Sequence, residues 1–183
     1  MSWKLNSIKT IYTNQFITLV EKNSFHPILG SHNFYCVLFP QWVNVVAITK
    51  ENNLVLVKQY RHGLESYTLE TPGGVVDPGE EPEDTARREL LEETGYKGKI
   101  LSLGKVAPNP AIQNNLCHIF LFTDCEKVAS QKLDETEDIQ IVEVPLEELD
   151  KLIAEEKIIH SLSVVSLLKT KDLLEKERKL KIF

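Results

Sequence analysis

A glycine- and proline-rich segment, followed at once by a well-marked helix, constrains the fold of this chain more than any other feature. The segment TPGGVVDPGEEP (71–82) is rich in turn-forming residues and is predicted to be a loop without regular structure. A helix is predicted over about Pro82–Thr94, because proline suits the first helical turn and Gly95 suits a left-handed C-terminal cap. A loop-to-helix unit near the middle of the chain is therefore expected.

Runs of β-branched and aromatic residues on both sides of this helix predict a sheet. Before the helix, Trp42–Thr49 and residues 54–60 are joined by a short polar turn and predict a central hairpin, with a short strand at 67–70. After the helix, periodicity predicts further strands and then two helices. The strands are expected near 100–106, 118–123 and 140–144, and the helices at 146–156 and about 160–177.

The first forty residues are predicted to form a separate β arm. The alternating stretches SIKTIYT, FITLVEK and HNFYCVLF are separated by polar or Gly/Pro-containing turns, which is typical of short antiparallel strands. The expected organisation is an N-terminal β arm over 1–40 and a second domain over 41–183.

Composition excludes several classes of protein. The formal net charge of -6 argues against non-specific binding to nucleic acid or to an anionic membrane, since both need a positive surface. No apolar run approaches membrane-spanning length, and the N-terminus lacks the apolar core of a signal peptide, so a cytoplasmic location is expected. Cys36, Cys117 and Cys125 lie in apolar runs and are predicted to be buried structural thiols.

Three carboxylates are predicted to share one face of the central helix. Glu92 and Glu93 follow Glu89 by three and four positions, which places them on the same face as Glu89. Repulsion between like charges at this spacing costs roughly 0.2 to 0.5 kcal/mol per pair. A positive partner should offset this repulsion, and Arg88 offers only part of it. Hard oxygen ligands suit Mg²⁺, with Mn²⁺ as a second choice. For the helix taken alone, a solvated acidic face is the alternative.

The loop and helix together match a family signature at each of its defined positions. These positions are Gly74, Glu80, Arg88, Glu89, Leu90, Glu92, Glu93, Gly95 and Tyr96. The pattern resembles the Nudix box, and the flanking residues extend the resemblance over most of 43–168. It implies an α/β fold, an α/β/α sandwich on a mixed β-sheet, and a metal-dependent hydrolase of phosphoanhydrides. A non-catalytic sensor with this fold would typically lack the metal glutamates, which are all present here.

The resemblance also implies a role for each residue of the signature. Glu89 and Glu93 would be the principal metal ligands, with Glu92 a further ligand and the Gly73 carbonyl another oxygen donor. Gly74 would let the backbone approach the metal and the substrate. Arg88, placed with Glu92 in the catalytic group, is expected to lock the loop to the helix through neighbouring carboxylates rather than to touch substrate.

Two segments outside the signature narrow the substrate class. QYRHG (59–63) followed by LETPGG (69–74) resembles the ADP-ribose and nucleoside-diphosphate-sugar pyrophosphatase branch, which makes Arg61 a phosphate clamp. A surface arginine is the alternative. Pro110, fourteen positions beyond Tyr96, resembles a marker of ADP-sugar hydrolases. Pro110 and Asn115 are expected to shape the mouth of the pocket and bind substrate, with a purely structural turn as the alternative.

The acidic segment DETED (134–138) resembles a loop that brings a catalytic glutamate to the site in ADP-ribose pyrophosphatases. The match makes Glu135 the general base and Glu137 an additional metal ligand, against the alternative of an exposed acidic loop. A bound metal lowers the pKa of water, and the carboxylate accepts the proton.

The predicted activity is Mg²⁺-dependent hydrolysis of ADP-ribose, or of a related nucleoside-diphosphate sugar, to a nucleoside monophosphate and a sugar phosphate. Alternative substrates are nucleoside triphosphates, dinucleotides and capped RNA. The resemblance further implies a homodimer in which N-terminal strands help close the partner's pocket. Phe16, Phe34, Tyr35 and Trp42 are candidates for stacking on the base, with packing in the core as the alternative.

Overall fold

A computed structural model describes residues 2–180, and contacts divide the chain into two units. One unit contains the chain up to Gln41 together with Ala107–Leu116, and the other contains Trp42–Val106 and the chain from Cys117 onward. Ala107–Leu116, expected within the 41–183 domain, is thus grouped with the N-terminal residues. That the two parts are separate domains stays a prediction.

The N-terminal unit is built on a three-stranded antiparallel sheet, which confirms the predicted β arm. Its strands are β1 (Lys4–Thr13), β2 (Thr18–His26) and β3 (Gly30–Leu38), paired in the order β1-β2-β3. Asn14 forms the first turn by accepting the backbone N–H groups of Phe16 and Ile17, each at 2.9 Å, through its side-chain oxygen.

The second unit contains a mixed sheet of seven strands. They are β4 (Trp42–Thr49), β5 (Asn53–Arg61), β6 (Ser66–Glu70), β7 (Gly73–Val75), β8 (Tyr96–Val106), β9 (Cys117–Lys127) and β10 (Ile139–Pro145). The main order is β10-β5-β4-β9-β8, with β6 paired to β5 and β7 paired to β4. Strands β4 and β9 are parallel and the other pairs are antiparallel.

Helices lie on both faces of this sheet, which confirms the predicted α/β/α sandwich. The helices are α1 (Pro82–Thr94), α2 (Leu149–Ala154) and α3 (Ser161–Leu180). Successive side chains of a strand point to opposite faces. Accordingly, Val45 of β4 packs in a cluster with Leu90 of α1, whereas Val46 packs in a second cluster with Leu167 of α3.

Two predicted elements are wrong in part. The segment 71–82 is not entirely a loop, because Gly73–Val75 pairs with β4. A Cβ on Gly73 would lie 2.4 Å from the carbonyl oxygen of Val43, so only glycine permits this approach. The helix predicted over 146–156 is a 3₁₀ turn, Leu146–Glu148, followed by the six-residue α2.

Two of the three cysteines have the predicted environment. Cys117 and Cys125 are buried, and burial raises the pKa of Cys117 to about 12 and that of Cys125 to about 11. Cys36 is only partly buried. Across residues 2–180, the helices are too short or too polar for any of them to cross a membrane.

Candidate metal centre

The acidic face of α1 is turned inward at one end. Glu93 is buried with 3% of its surface exposed, and its carboxylate accepts the backbone N–H of Gly73 at 3.0 Å. Glu89 is mostly buried, while Glu92 is about one-third exposed. The hydrogen bond from Gly73 therefore joins the carboxylate helix to β7, with Glu93 innermost.

The pKa values of the two inner carboxylates are raised. Burial raises the pKa of Glu93 to about 8 and that of Glu89 to about 6; repulsion from Glu89 adds to the shift of Glu93, and repulsion from Glu92 adds to that of Glu89. The negative charge of Glu137 pushes both pKa values in the same direction. Burial and the neighbouring carboxylates thus outweigh the positive charge that Arg88 and Arg61 bring to these two side chains.

Gly74 lies directly against Glu89. A Cβ on Gly74 would sit 2.2 Å from Glu89 Oε1, so any side chain there would displace the carboxylate. We expect Gly74→Ala to lower metal affinity and kcat by about 10- to 100-fold, the cost of moving a group that orients a metal site. Gly63→Ala is the matched control, because a Cβ on Gly63 meets nothing within 4 Å. Equal kinetics for the two variants would contradict this role of Gly74.

Arg88 connects the loop before α1 to the carboxylates on α1. Its Nε and Nη2 donate to Glu80 at 3.1 and 3.0 Å, and its Nη1 donates to Glu89 at 2.9 Å and Glu92 at 3.1 Å. These bonds, the one to Glu80 first, raise the pKa of Arg88 above its ordinary range. Its nitrogens are thus engaged by protein carboxylates, the arrangement expected of a residue that locks the loop to the helix.

The segment after β9 is anchored to the C-terminal end of α1. The Lys132 N–H donates to the Glu92 carbonyl at 2.8 Å, and Gln131 Nε2 donates to the Glu93 carbonyl at 2.7 Å. Val128 N–H donates to the Gly95 carbonyl at 2.8 Å. Carbonyls at a helix C-terminus have no partner within the helix, so these bonds satisfy them and fix where the acidic loop begins.

The two loop carboxylates predicted for the site, Glu135 as general base and Glu137 as metal ligand, have different surroundings. The Glu137 side chain accepts the Asp134 N–H at 2.9 Å, and its charge acts on Arg61, Glu89 and Glu93. Glu135 is exposed and, within the described chain, has no hydrogen bond or ion pair with these residues. Glu137 is therefore the carboxylate whose charge reaches the helix, and Glu135 as the base stays a prediction from resemblance.

A buried acid that sequence reasoning missed holds Arg61. Arg61 donates from Nε and Nη2 to the two oxygens of Glu70, at 2.9 and 2.7 Å. Burial alone would raise the pKa of Glu70, but hydrogen bonds from Arg61, His160 and Thr68 outweigh it and lower this pKa. Glu70 lies inside the LETPGG segment, so the motif that was used to narrow the substrate class already contained this residue. One edge of the guanidinium, with Nε and Nη2, is thus occupied by Glu70.

Arg61 lines two cavities. The first has a volume of about 300 Å³ and is lined by Trp42, Val43, Asn44, Arg61, Glu70, Thr71, Gly73, Gly74, Val75, His160 and Leu162. The second has a volume of about 390 Å³ and is lined by Gln59, Tyr60, Arg61, His62, Tyr67, Thr136, Glu137 and Asp138. The first contains the predicted Gly73 and Gly74, and the second contains Glu137.

The remaining predicted residues belong to the N-terminal unit. Pro110 lies in an exposed turn. Asn115 is buried, and its amide nitrogen and oxygen have no hydrogen-bond partner within the described chain. Phe16, Phe34 and Tyr35 are exposed on the same unit. Roles for these residues in substrate binding stay predictions.

Comparison with known proteins identifies the family. The model of the NUDIX domain matches residues 39–162. The chain belongs to the NUDIX family. This NUDIX protein is 38% identical over 124 residues to the ADP-ribose pyrophosphatase of Bacillus subtilis (strain 168), covering 67% of each chain. It is 37% identical over 132 residues to the methanol dehydrogenase activator of Bacillus methanolicus, covering 71% of each.

A solved structure supports the fold of this NUDIX protein. The crystal structure of an ADP compounds hydrolase superposes with a TM-score of 0.86 at 23% sequence identity, covering 97% of this chain and 96% of the other. At this identity the likeness establishes the fold alone. The fold is therefore shared along almost the whole of both chains.

The residues of this NUDIX protein fit a magnesium ion. The donors are carboxylate oxygens, Gly74 leaves room for the Glu89 carboxylate, and a cation beside Glu89 and Glu93 would offset the burial that raises their pKa values. No cluster of three acidic, histidine or cysteine side chains forms a metal cage within residues 2–180. Mg²⁺ requires no such cage, because it keeps several waters and binds through one or two carboxylates and substrate phosphates.

Proposed function

We propose that this protein is a Mg²⁺-dependent pyrophosphatase that hydrolyses ADP-ribose, or a related nucleoside-diphosphate sugar, to a nucleoside monophosphate and a sugar phosphate. The observation that carries the substrate class is the position of Arg61, which lines both cavities. A diphosphate bound at Arg61 would have room for an organic group on either side. A nucleoside triphosphate carries an organic group at one end only and would leave one cavity unused.

The names of the relatives support the adenosine form of this substrate. The Bacillus subtilis relative is an ADP-ribose pyrophosphatase, and a mouse relative, 44% identical over 71 residues, is an ADP-sugar pyrophosphatase. An acidic chain with a formal charge of -6 also disfavours capped RNA as the substrate.

In the proposed reaction, the acidic residues would bind the metal and Arg61 would bind the diphosphate. Glu89 and Glu93 would hold the metal, with Glu92, Glu137 and the Gly73 carbonyl as further donors. When bound, Mg²⁺ lowers the pKa of a water and neutralises charge on the diphosphate. Arg61 would bind a phosphate oxygen through Nη1, since Nε and one Nη2 hydrogen are used by Glu70.

Proton transfer falls to the acidic loop. We retain Glu135 as the general base, with Glu137 as the alternative because its charge acts on the metal carboxylates. The base would remove a proton from the attacking water as the water oxygen bonds to one phosphorus and the bond from that phosphorus to the bridging oxygen breaks, so that the bridging oxygen leaves with the other phosphate. Arg88 keeps the loop before α1 in place through Glu80 and takes no part in the proton transfer.

We also propose a cytoplasmic homodimer that uses the N-terminal unit. Leu5, Ile8, Phe16, Ile28 and Leu29 are each at least half exposed there. Exposed apolar residues concentrated in this way are typical of protein interfaces. Light scattering on the purified protein measures the oligomeric state, and a monomer at micromolar concentration would contradict the dimer.

A substrate panel tests the proposed activity. Purified protein is incubated with Mg²⁺ and, separately, with ADP-ribose, ADP-glucose, GDP-mannose, UDP-glucose, NADH and deoxynucleoside triphosphates, and products are identified by chromatography. We expect the highest kcat/KM with ADP-ribose or ADP-glucose, release of AMP and a sugar phosphate, and no turnover in EDTA. Turnover confined to the triphosphates would contradict the proposed substrate class.

A further inference from the structure

His160, to which no role was assigned from sequence, lies immediately before α3 and lines the first cavity. Its Nδ1 is 3.0 Å from Glu70 Oε2 and 2.9 Å from Ser163 Oγ. An ionised carboxylate can only accept hydrogen bonds, so the bond to Glu70 requires that Nδ1 carry the proton and donate it. The side of the ring that bears Nδ1 is therefore occupied by protein.

The oxygen that His160 contacts is also one that positions Arg61. Glu70 Oε2 accepts Arg61 Nη2 at 2.7 Å as well as His160 Nδ1 at 3.0 Å. Thr68 and Arg61 Nε donate to the other oxygen, Oε1. Each oxygen of this buried carboxylate thus has two donors, which fix its plane. Because the Arg61 fork is bidentate, the plane of the carboxylate sets the plane of the guanidinium.

We propose that His160 is a positioning residue for Arg61: through Glu70 it fixes the guanidinium edge that faces the diphosphate. This inference rests on the proposed function, because it assumes that Arg61 binds the diphosphate of a nucleoside-diphosphate sugar. Without the His160 donor, Glu70 Oε2 would be held by Arg61 alone. Of the donors described above, Thr68 on Oε1 would then be the one besides Arg61 that holds the carboxylate, so the pair could tilt about that bond and Nη1 would point over a wider range of directions.

The alternative is direct contact between substrate and the other ring nitrogen, Nε2. Two amide variants distinguish the alternatives, because each keeps one nitrogen position of the imidazole. The amide of His160→Asn places a donor near the position of Nδ1, where it can still reach Glu70. The longer His160→Gln places its donor near the position of Nε2 and leaves Glu70 without the bond.

The test measures kcat and KM for ADP-ribose with saturating Mg²⁺. We expect His160→Asn to stay within about threefold of wild type, and His160→Gln and His160→Ala to raise KM about tenfold with little change in kcat. A tenfold rise in KM is about the lower end of the range expected when a hydrogen bond to a charged group is lost. The reverse order, with the glutamine variant active and the asparagine variant impaired, would overturn the inference in favour of direct contact.

Leu167→Val separates this effect from a general weakening of α3. Leu167 is buried in the core on α3 and has no contact with Glu70 in the hydrogen-bond network described above. We expect it to lower the Tm while leaving KM unchanged at an assay temperature well below that Tm. A KM raised as much by Leu167→Val as by His160→Ala would overturn the inference, since helix stability would then explain both.

A double-mutant cycle shows whether His160 acts through Arg61. In an Arg61→Lys background the bidentate fork is absent, so adding His160→Ala should have no further effect on KM; a second tenfold rise would overturn the inference. Calorimetry in EDTA measures the affinity for ADP-ribose without turnover. We expect His160→Asn to bind about as tightly as wild type, and His160→Gln and His160→Ala to bind more weakly. Wild-type protein that binds ADP-ribose but does not hydrolyse it would contradict the proposed function alone.

Discussion

Glu93→Gln is expected to lower kcat at least about a hundredfold while the protein stays folded. Glutamine keeps the shape of the side chain and an oxygen that can accept the Gly73 N–H, now bonded to Glu93 at 3.0 Å. It lacks the negative charge that a divalent cation needs, and metal stabilisation of the transition state contributes several kcal/mol. Turnover with ADP-ribose and circular dichroism of the variant would be measured together.

When metal is removed, the same substitution should raise the stability of the protein. Burial raises the pKa of Glu93 from its ordinary 4.5 to about 8, so between these pH values the folded state binds more protons than the unfolded state. The stability of the metal-free wild type therefore falls as pH rises through this window. Glutamine does not titrate, so Glu93→Gln in EDTA should have the higher Tm at pH 8, with a smaller advantage at pH 5.

Glu83→Gln is the matched control for both measurements. Glu83 lies on the same helix but is exposed, where it pairs with Arg87. We expect wild-type turnover from this variant and a pH dependence of the Tm like that of the wild type. Full activity of Glu93→Gln would remove Glu93 from the metal site, and an unchanged Tm at pH 8 would contradict the assigned cause of the pKa shift.

The second large effect concerns the ion pair between Arg61 and Glu70. Arg61→Ala should lower the free energy of unfolding by about 3 kcal/mol more than Glu70→Gln, because only the first leaves a buried charge without its ionic partner. The Glu70 side chain is 1% exposed, whereas the Arg61 side chain is 43% exposed and reaches water. The asymmetry follows from burial, since both variants remove the same pair.

Urea unfolding at neutral pH measures this difference. The partners of Glu70 lower its pKa, so their stabilisation is present above the pKa of the unfolded state and is lost as pH falls through the folded value. The penalty of Arg61→Ala should accordingly shrink on acidification. Arg87→Ala, which breaks an exposed pair, is the control and should stay within about 1 kcal/mol of wild type. Equal losses in the Arg61 and Glu70 variants would contradict the asymmetry.

The elements that sequence predicted well are those determined by neighbouring residues. Both ends of α1 followed from Pro82 and Gly95, because helix caps depend on a few adjacent positions. Strand β7 could not be predicted in this way. Its pairing depends on how closely Gly73 approaches Val43, thirty positions earlier in the chain, and turn propensity carries no information on that distance.

In the candidate site too, features set by neighbouring residues could be predicted from sequence, and contacts between distant residues could not. The grouping of Glu89, Glu92 and Glu93 follows from helical spacing, and Arg61 followed from a motif. The partnership of Glu70 with His160 joins residues ninety positions apart through a bond of 3.0 Å that no local pattern encodes. In the acidic loop, composition could not rank Glu135 against Glu137, because the direction of each side chain depends on how the loop is anchored.

In Glu92 and Glu93, the main chain holds the acidic loop in place and the side chain carries the negative charge. The acceptors that hold Lys132 and Gln131 are the main-chain carbonyls of Glu92 and Glu93, which any amino acid would supply. The side chains of the same residues carry the charge. A lineage could therefore exchange these carboxylates and lose catalysis while the loop kept its attachment, so a descendant that only binds its ligand is a short mutational distance away.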